Sequence, residues 1–453
     1  MMRLSWTQPE DLLPHALVAA DLDGRDAAGV RERWLAAGGA AEPVVSGASP
    51  EPAPAPLRAL ARELLAELDE IPDPAALTTD EPEDLEAILA AAGAESAPAP
   101  PPAAGAEYAD RVHGAWLGRA AGCLLGKPVE KVSLEGIRAI ARATGNWPLD
   151  SYFTEIGLDP WVAAKYPWNR RSRPTSLVEN IDGMPEDDDL NFPLIALHLL
   201  EGAGRGLTTG DVAQAWLDLL PGGRVFTAER ITYRNLLDGH APEEAGRVRN
   251  PFRDWIGAQI RTDLYGWATP GDPVEAARLA WTDARLSHGR NGIYGAMFAA
   301  AASAAAVTGA PVDTVLETGL SVVPPRSRYA AALRRGIDIG RGGLDDEAAV
   351  DALHEEFGHL HWVHVLNNAA LLGFALARGA GAFERTITLA VSGGWDTDSV
   401  GATAGALAGA MTGAKHLPPK WIGPLDDRLA TSVPGFDGAR FTALAIRTVE
   451  VSR

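Results

Sequence analysis

Residues 392–399 read Ser392-Gly393-Gly394-Trp395-Asp396-Thr397-Asp398-Ser399, and residues 400–414 continue as VGATAGALAGAMTGA. The paired glycines let the chain turn where a side chain would clash. Aspartate and serine at the start of a helix are good caps. The same oxygens suit a hard cation. Asp396 and Asp398 stand two apart, so they do not share one face of a regular helix. They converge if the first lies in the turn and the second in the cap. An acidic helix cap and nothing more is the plainer alternative.

Working outward, Gly401, Gly405, Gly409 and Gly413 recur every four residues, a spacing that lines one helical face. Gly114, Gly118, Gly122 and Gly126 repeat the device in residues 111–128, RVHGAWLGRAAGCLLGKP. Each glycine costs about 1 kcal/mol of helix propensity against alanine. A helix that carries four must gain from close packing or backbone access. The two smooth faces predict a pair of helices in close approach within the core. No dinucleotide-binding fingerprint is present, because the glycine spacing differs and no strand precedes it.

A second acidic segment, Glu186-Asp187-Asp188-Asp189, opens the apolar run LNFPLIALHLL. Capping and the helix dipole favour one or two acids there, by fractions of a kcal/mol, not four in a row. Such a run repels itself unless it is solvated or neutralised. The apolar run beside it turns the acids toward the core, where metal binding explains them better than capping. This segment is therefore expected to form the second half of a two-cation site.

The 453 residues carry a formal net charge of -20, which argues against general nucleic-acid binding and against an anionic membrane surface. Cys123 is the only cysteine, so no intrachain disulfide and no cysteine-rich zinc site can form. The first residues lack the apolar core of a secretory signal, and no apolar run has membrane-spanning length. A soluble cytoplasmic protein is the expectation.

Strand-like alternation is nearly absent, and the pattern predicts an all-α fold of more than a dozen helices. Residues 1–104 read as an N-terminal helical or partly disordered extension with Pro/Ala-rich linkers at 46–56 and 96–105, and with no site of its own. Residues 105–453 read as the main domain. Residues 145–180 hold Trp147, Tyr152, Trp161, Trp168, Arg170, Arg171 and Arg173 in an irregular stretch, which suits a ligand rim or a solvated cover. His354, His359, His361 and His364 lack the H-E-x-x-H spacing of a zinc site. Cys123 among small apolar residues is a poor nucleophile.

Four segments together resemble the ADP-ribosylglycohydrolase family: residues 111–128, residues 185–194 (PEDDDLNFPL), residues 284–303 (ARLSHGRNGIYGAMFAAAAS) and residues 393–409 (GGWDTDSVGATAGALAG). The resemblance implies a compact all-α multi-helix bundle over about 105–430. It implies two magnesium ions, with manganese as the alternative, that hold the vicinal hydroxyls of a ribose and a water while the N- or O-glycosidic bond at the anomeric carbon is hydrolysed. Carried onto this chain, the implied metal ligands are Glu186, Asp187, Asp188, Asp396, Asp398 and Ser399. Glu186, Asp187, Asp188 and Asp396 are the implied catalytic acids. Gly126, His288, Asn291, Gly394 and Trp395 are the expected substrate contacts. The chain departs from the family pattern at Glu186, where a threonine is usual, at Asp189, where a hydroxyl is usual, and at Trp395, inserted into Gly-Gly-Asp. The implied partner is a small-molecule or ADP-ribosylated substrate. Two alternatives stay open: an inactive nucleotide-binding protein of the same fold, and a tailoring enzyme for a nucleoside-like metabolite.

Overall fold

The computed structural model describes residues 3–94, 101 and 104–453. The described residues are helical throughout, with isolated β-bridges such as Trp255 to His364 and no sheet. The 96–105 linker expectation falls largely outside the described residues. No helix among the described residues is long and apolar enough to cross a membrane.

The two glycine-faced helices form the centre. One spans Gly105–Gly126 and the other Thr397–Thr412, and they run antiparallel in contact. The register pairs Gly114 with Gly409, Gly118 with Gly405 and Gly122 with Gly401. A Cβ on any of these glycines would collide with the carbonyl oxygen of its partner. The lost helix propensity is thus exchanged for backbone contact that no side chain permits. At the far end, the Thr397 hydroxyl donates to the Gly126 carbonyl at 2.8 Å. That bond fixes the start of the Asp-Thr-Asp-Ser segment against the end of the other helix.

Around this pair, the alanine-rich helix Arg290–Ala306 is buried along its whole length. It packs on Pro273–Ala284, Val312–Leu320 and the 3-10 segment Ile256–Arg261. Helices Arg328–Arg341 and Val365–Gly379 pack through Gly336, which faces the Ala370 carbonyl. The acidic segment opens helix Asp188–Ala203. Asp187 is its N-cap, and its carboxylate accepts from the Asp189 N–H at 3.0 Å.

The extension opens with two helices, Pro9–Leu22 and Ala28–Ala36. Gly24, at φ +68°, makes the break. Helix Ala55–Glu70 buries Leu64, Leu65 and Leu68 and packs on Pro9–Leu22. These helices are tied to the rest of the chain by ion pairs. Asp23 meets Arg290 at 2.5 Å and Arg328 at 3.0 Å, and Glu81 meets Arg328 at 2.7 Å.

Candidate metal centre

The two acidic segments meet at one cavity of about 670 Å³. Asp187, Asp188 and Asp189 enter from the first turn of Asp188–Ala203, and Asp396, Asp398 and Ser399 from the first turn of Thr397–Thr412. Ser399 Oγ lies 3.3 Å from Asp189 Oδ2 and joins the two turns. Asp396 and Asp398 come together, but one position further along than expected, the first in the cap rather than the turn and the second in the helix rather than the cap. Asp396 is the N-cap residue at φ -89°, ψ 76°, and Asp398 lies in the first helical turn.

The acids divide by their partners. Asp187 faces the ammonium of Lys127, and Asp189 faces Arg119 at 3.3 Å. Burial pushes Asp187 upward, but the Lys127 charge together with the hydrogen bonds from Lys127 and Asp189 outweighs it and holds this carboxyl below its usual range. Arg119 is itself clamped, with Nη1 donating to Asp263 at 2.7 Å and Nε donating to the Asp189 carbonyl at 2.7 Å. Asp188, Asp396 and Asp398 take part in none of the ion pairs among the described residues. Burial, and then the neighbouring carboxylates, push Asp188 and Asp396 well above their ordinary range. The same causes push Asp398 up to about 7. Two buried carboxylates and the half-buried Asp188 repel one another here with no ion-pair partner, and the Lys127 charge offsets only part of the upward shift of Asp398.

Glu130 completes this group. One oxygen each from Glu130, Asp396 and Asp398 lie within 4.8 Å of one another. An all-carboxylate set at that spacing suits a hard divalent cation, and its uncompensated charge is what such an ion neutralises. A second cluster joins Asp187 and Asp189 to Cys123 at similar spacing. It is the poorer site, because its two carboxylates already face Lys127 and Arg119. Burial also pushes the Cys123 thiol well up, so it stays protonated, and a thiol is a soft ligand.

Glu186 reaches the cavity but has other bonds. Its carboxylate accepts from the Ser432 N–H at 3.0 Å and pairs with Arg224 at 3.1 Å. The five expected substrate contacts do not line the cavity. Gly126 seats Thr397. Asn291 is buried and bridges Glu81, at 2.8 Å, to the Tyr329 N–H, at 3.0 Å. His288 is buried with Nδ1 at 2.7 Å from the Ser287 hydroxyl, and burial pushes its pKa well down. Gly394 and Trp395 form the turn, and the inserted Trp395 stacks on His354 with centroids 4.1 Å apart. Of the loop expected as a rim, Asn169, Arg171, Ser172 and Thr175 line the cavity, while Arg173 pairs with Glu155 at 2.6 Å.

Glu130 carries no local motif, and Arg119 and Lys127 stand within 111–128 with nothing in the spacing to mark them as partners of the acids. Their place follows from the register of the glycine helices, which sets the turn after Gly126 beside Thr397 and Asp398. A larger cavity, about 960 Å³, lies between the N-terminal helices and residues 247–255. Its carboxylates Asp23, Asp73 and Asp254 are paired with arginines, and Glu42, Asp69 and Glu70 are exposed, so it lacks the buried, unpaired acids of the smaller one.

The model of the family described as ADP-ribosylglycohydrolase matches residues 104–452. Among solved structures, one described as an "ADP-ribosylglycohydrolase-related protein complex" is similar at 23% identity and a TM-score of 0.48, over 77% of this chain and 99% of that one. No match was found among curated proteins. With the family model matched over most of its length, this chain belongs to the ADP-ribosylglycohydrolase family.

Proposed function

We propose that the protein is a hydrolase dependent on two magnesium ions, or manganese, that cleaves the N- or O-glycosidic bond at the ribose anomeric carbon of an ADP-ribosyl or related small glycoside. The observation that carries this reading is the set Asp188, Asp396 and Asp398, buried or half-buried and without a cationic partner, in a cavity of ligand size. Glu130, Asp396 and Asp398 would hold one ion. Asp188, with Asp187 and Glu186 beside it, would supply ligands across the cavity, and the Ser399 hydroxyl would link the two sides. Bound divalent ions supply an anchor for a vicinal diol and an acidified water.

The chain's own residues do the rest. Lys127 and Arg119 fix Asp187 and Asp189, so that part of the acidic wall does not move when charge in the cavity changes. Asp188 is only partly exposed, faces the cavity and has no side-chain hydrogen bond among the described residues. It is placed to take the proton of an attacking water at a carboxylate oxygen. The surrounding carboxylates favour the positive charge that develops at the anomeric carbon. Residues 105–453 are the proposed catalytic part, and residues 1–104 are the proposed extension, whose described helices dock on it. The test is turnover of a panel of ADP-ribosyl and simple ribosyl glycosides. Turnover that ends with chelator and with Asp398→Asn supports the reading. A well-folded, metal-replete protein that hydrolyses none of them contradicts it.

A further inference from the structure

Trp395 stands one residue before the proposed ligand Asp396 and does not line the metal cavity. It is buried at φ 59°, in the left-handed region that a bulky residue adopts only when its surroundings hold it there. His354, on helix Asp346–Phe357, supplies two such holds. Its ring stacks on the Trp395 ring with an interplanar angle of 13°. Its Nε2 lies 2.7 Å from the Gly393 carbonyl. A carbonyl oxygen only accepts, so Nε2 carries the proton and donates. The turn is thus gripped on both sides of Gly394, by a carbonyl before it and a ring after it. The Asp396 N–H is held separately, donating to Asn368 Oδ1 at 3.2 Å. Asn368 Nδ2 donates in turn to the carbonyls of Trp362 at 2.9 Å and His364 at 2.8 Å. Helix Asp346–Phe357 is joined through Asp351 to Arg138 at 2.7 Å, on helix Leu134–Ala143, which follows Glu130.

We infer that Trp395 and His354 are positioning residues for the divalent cation, and that their stack holds Asp396 where its carboxylate meets those of Glu130 and Asp398. The inference rests on the cation-binding part of the proposed function and not on the glycoside chemistry. The physical need is repulsion. Glu130 and Asp398 act on the buried Asp396 as like charges, so without a cation the three carboxylates push apart. A turn pinned by a stacked ring and a hydrogen bond resists that movement. An arriving ion then meets oxygens already within 4.8 Å of one another. Glycine would adopt the same φ at 395 without strain, but it offers no ring to stack. The tryptophan gives up conformational ease and gains a fixed ligand. Neither side chain touches the substrate space, so both act through Asp396.

The test uses the full chain and magnesium, and separates the fold from the site. His354→Ala removes both holds at a half-buried helical position, where alanine is favoured. Trp395→Gly removes the ring at a φ that glycine adopts freely, and Trp395→Phe keeps a ring. Urea unfolding in chelator reads the fold, and calorimetry with magnesium reads the site. Magnesium affinity should fall about tenfold or more in His354→Ala and Trp395→Gly, the range for losing a group that orients metal ligands. Trp395→Phe should keep most of the wild-type affinity. Hydrogen exchange on wild type needs no variant to fold: residues 393–398 should be protected in chelator nearly as well as with magnesium. Equal magnesium affinity in wild type and His354→Ala, or a loss in Trp395→Phe as large as in Trp395→Gly, would overturn the inference and leave the proposed function standing. Fast exchange in chelator that slows only with magnesium would overturn it too. Weakened binding in the variants, with no glycoside hydrolysed by wild type, would leave the inference standing and sink the hydrolase reading. A wild type that takes up no magnesium would sink both.

Discussion

Ser399 Oγ lies 3.3 Å from Asp189 Oδ2, although 210 residues separate them in the chain. The contact makes one site of two acidic segments, and that site holds two kinds of carboxylate. Asp187 and Asp189 are matched to Lys127 and Arg119, whereas Asp188, Asp396 and Asp398 are not.

Opposite mutational effects follow in chelator, where no cation compensates the unmatched acids. Asp396→Asn and Asp398→Asn remove a repelled charge and should leave the melting temperature equal to or above wild type. Arg119→Met strips the counter-charge from Asp263 and Asp189, all three buried, and should cost about 3–5 kcal/mol, the range for a broken buried pair. Urea unfolding in chelator measures both. A loss of stability in Asp398→Asn as large as in Arg119→Met would contradict the division.

The glycine register makes a separate prediction. Gly118→Ala places a methyl group against the Gly405 carbonyl and should cost about 1–3 kcal/mol or more, as overpacking does. Gly202, near the end of helix Asp188–Ala203, has nothing within 4 Å of the position a Cβ would take. Gly202→Ala should therefore stabilise by about 0.5–1 kcal/mol. Paired urea titrations at one pH decide it.

Buried histidines at the seat of the extension give a pH dependence of known sign. Burial pushes His15 and His364 down to about 4 and His361 to about 3, with His15 and His364 lowering His361 further. Asp254 opposes the shift at His364, while Arg328 adds to it. In the unfolded chain these rings titrate near their ordinary value, about 6.5. The unfolded state therefore binds protons first, so stability is full above pH 6.5 and is lost as pH falls toward 4. The raised metal-site acids act in the opposite sense, so the useful comparison is between variants. His15→Phe, in the aromatic setting of Trp6 and Phe252, should lose less stability than wild type between pH 6.5 and 4.5. Thermal melts across that range read the difference.

The central helix pair was legible because glycines at intervals of four leave a visible trace when each replaces a side chain by a backbone contact. The acidic turns were legible because four successive carboxylates before an apolar run need a reason. Glu130 was not, since its role depends on where the glycine register ends, which no local pattern near Glu130 records. His288 and Asn291 were expected as substrate contacts because they stand in the segment 284–303 that carries the family resemblance. Their polarity serves packing contacts instead: Asn291 binds Glu81 of the extension, and His288 meets the Ser287 hydroxyl. That Trp6 of the extension lines the cavity was not legible either, because one tryptophan in a short irregular segment looks the same whether it lines a cavity or caps a core.

The most direct measurement is calorimetric titration of the metal-free chain with magnesium and manganese, on wild type and on Asp398→Asn. Two ions bound per chain, with binding lost or weakened at least tenfold in the variant, is the predicted result. A well-folded wild type that takes up neither ion would contradict the account.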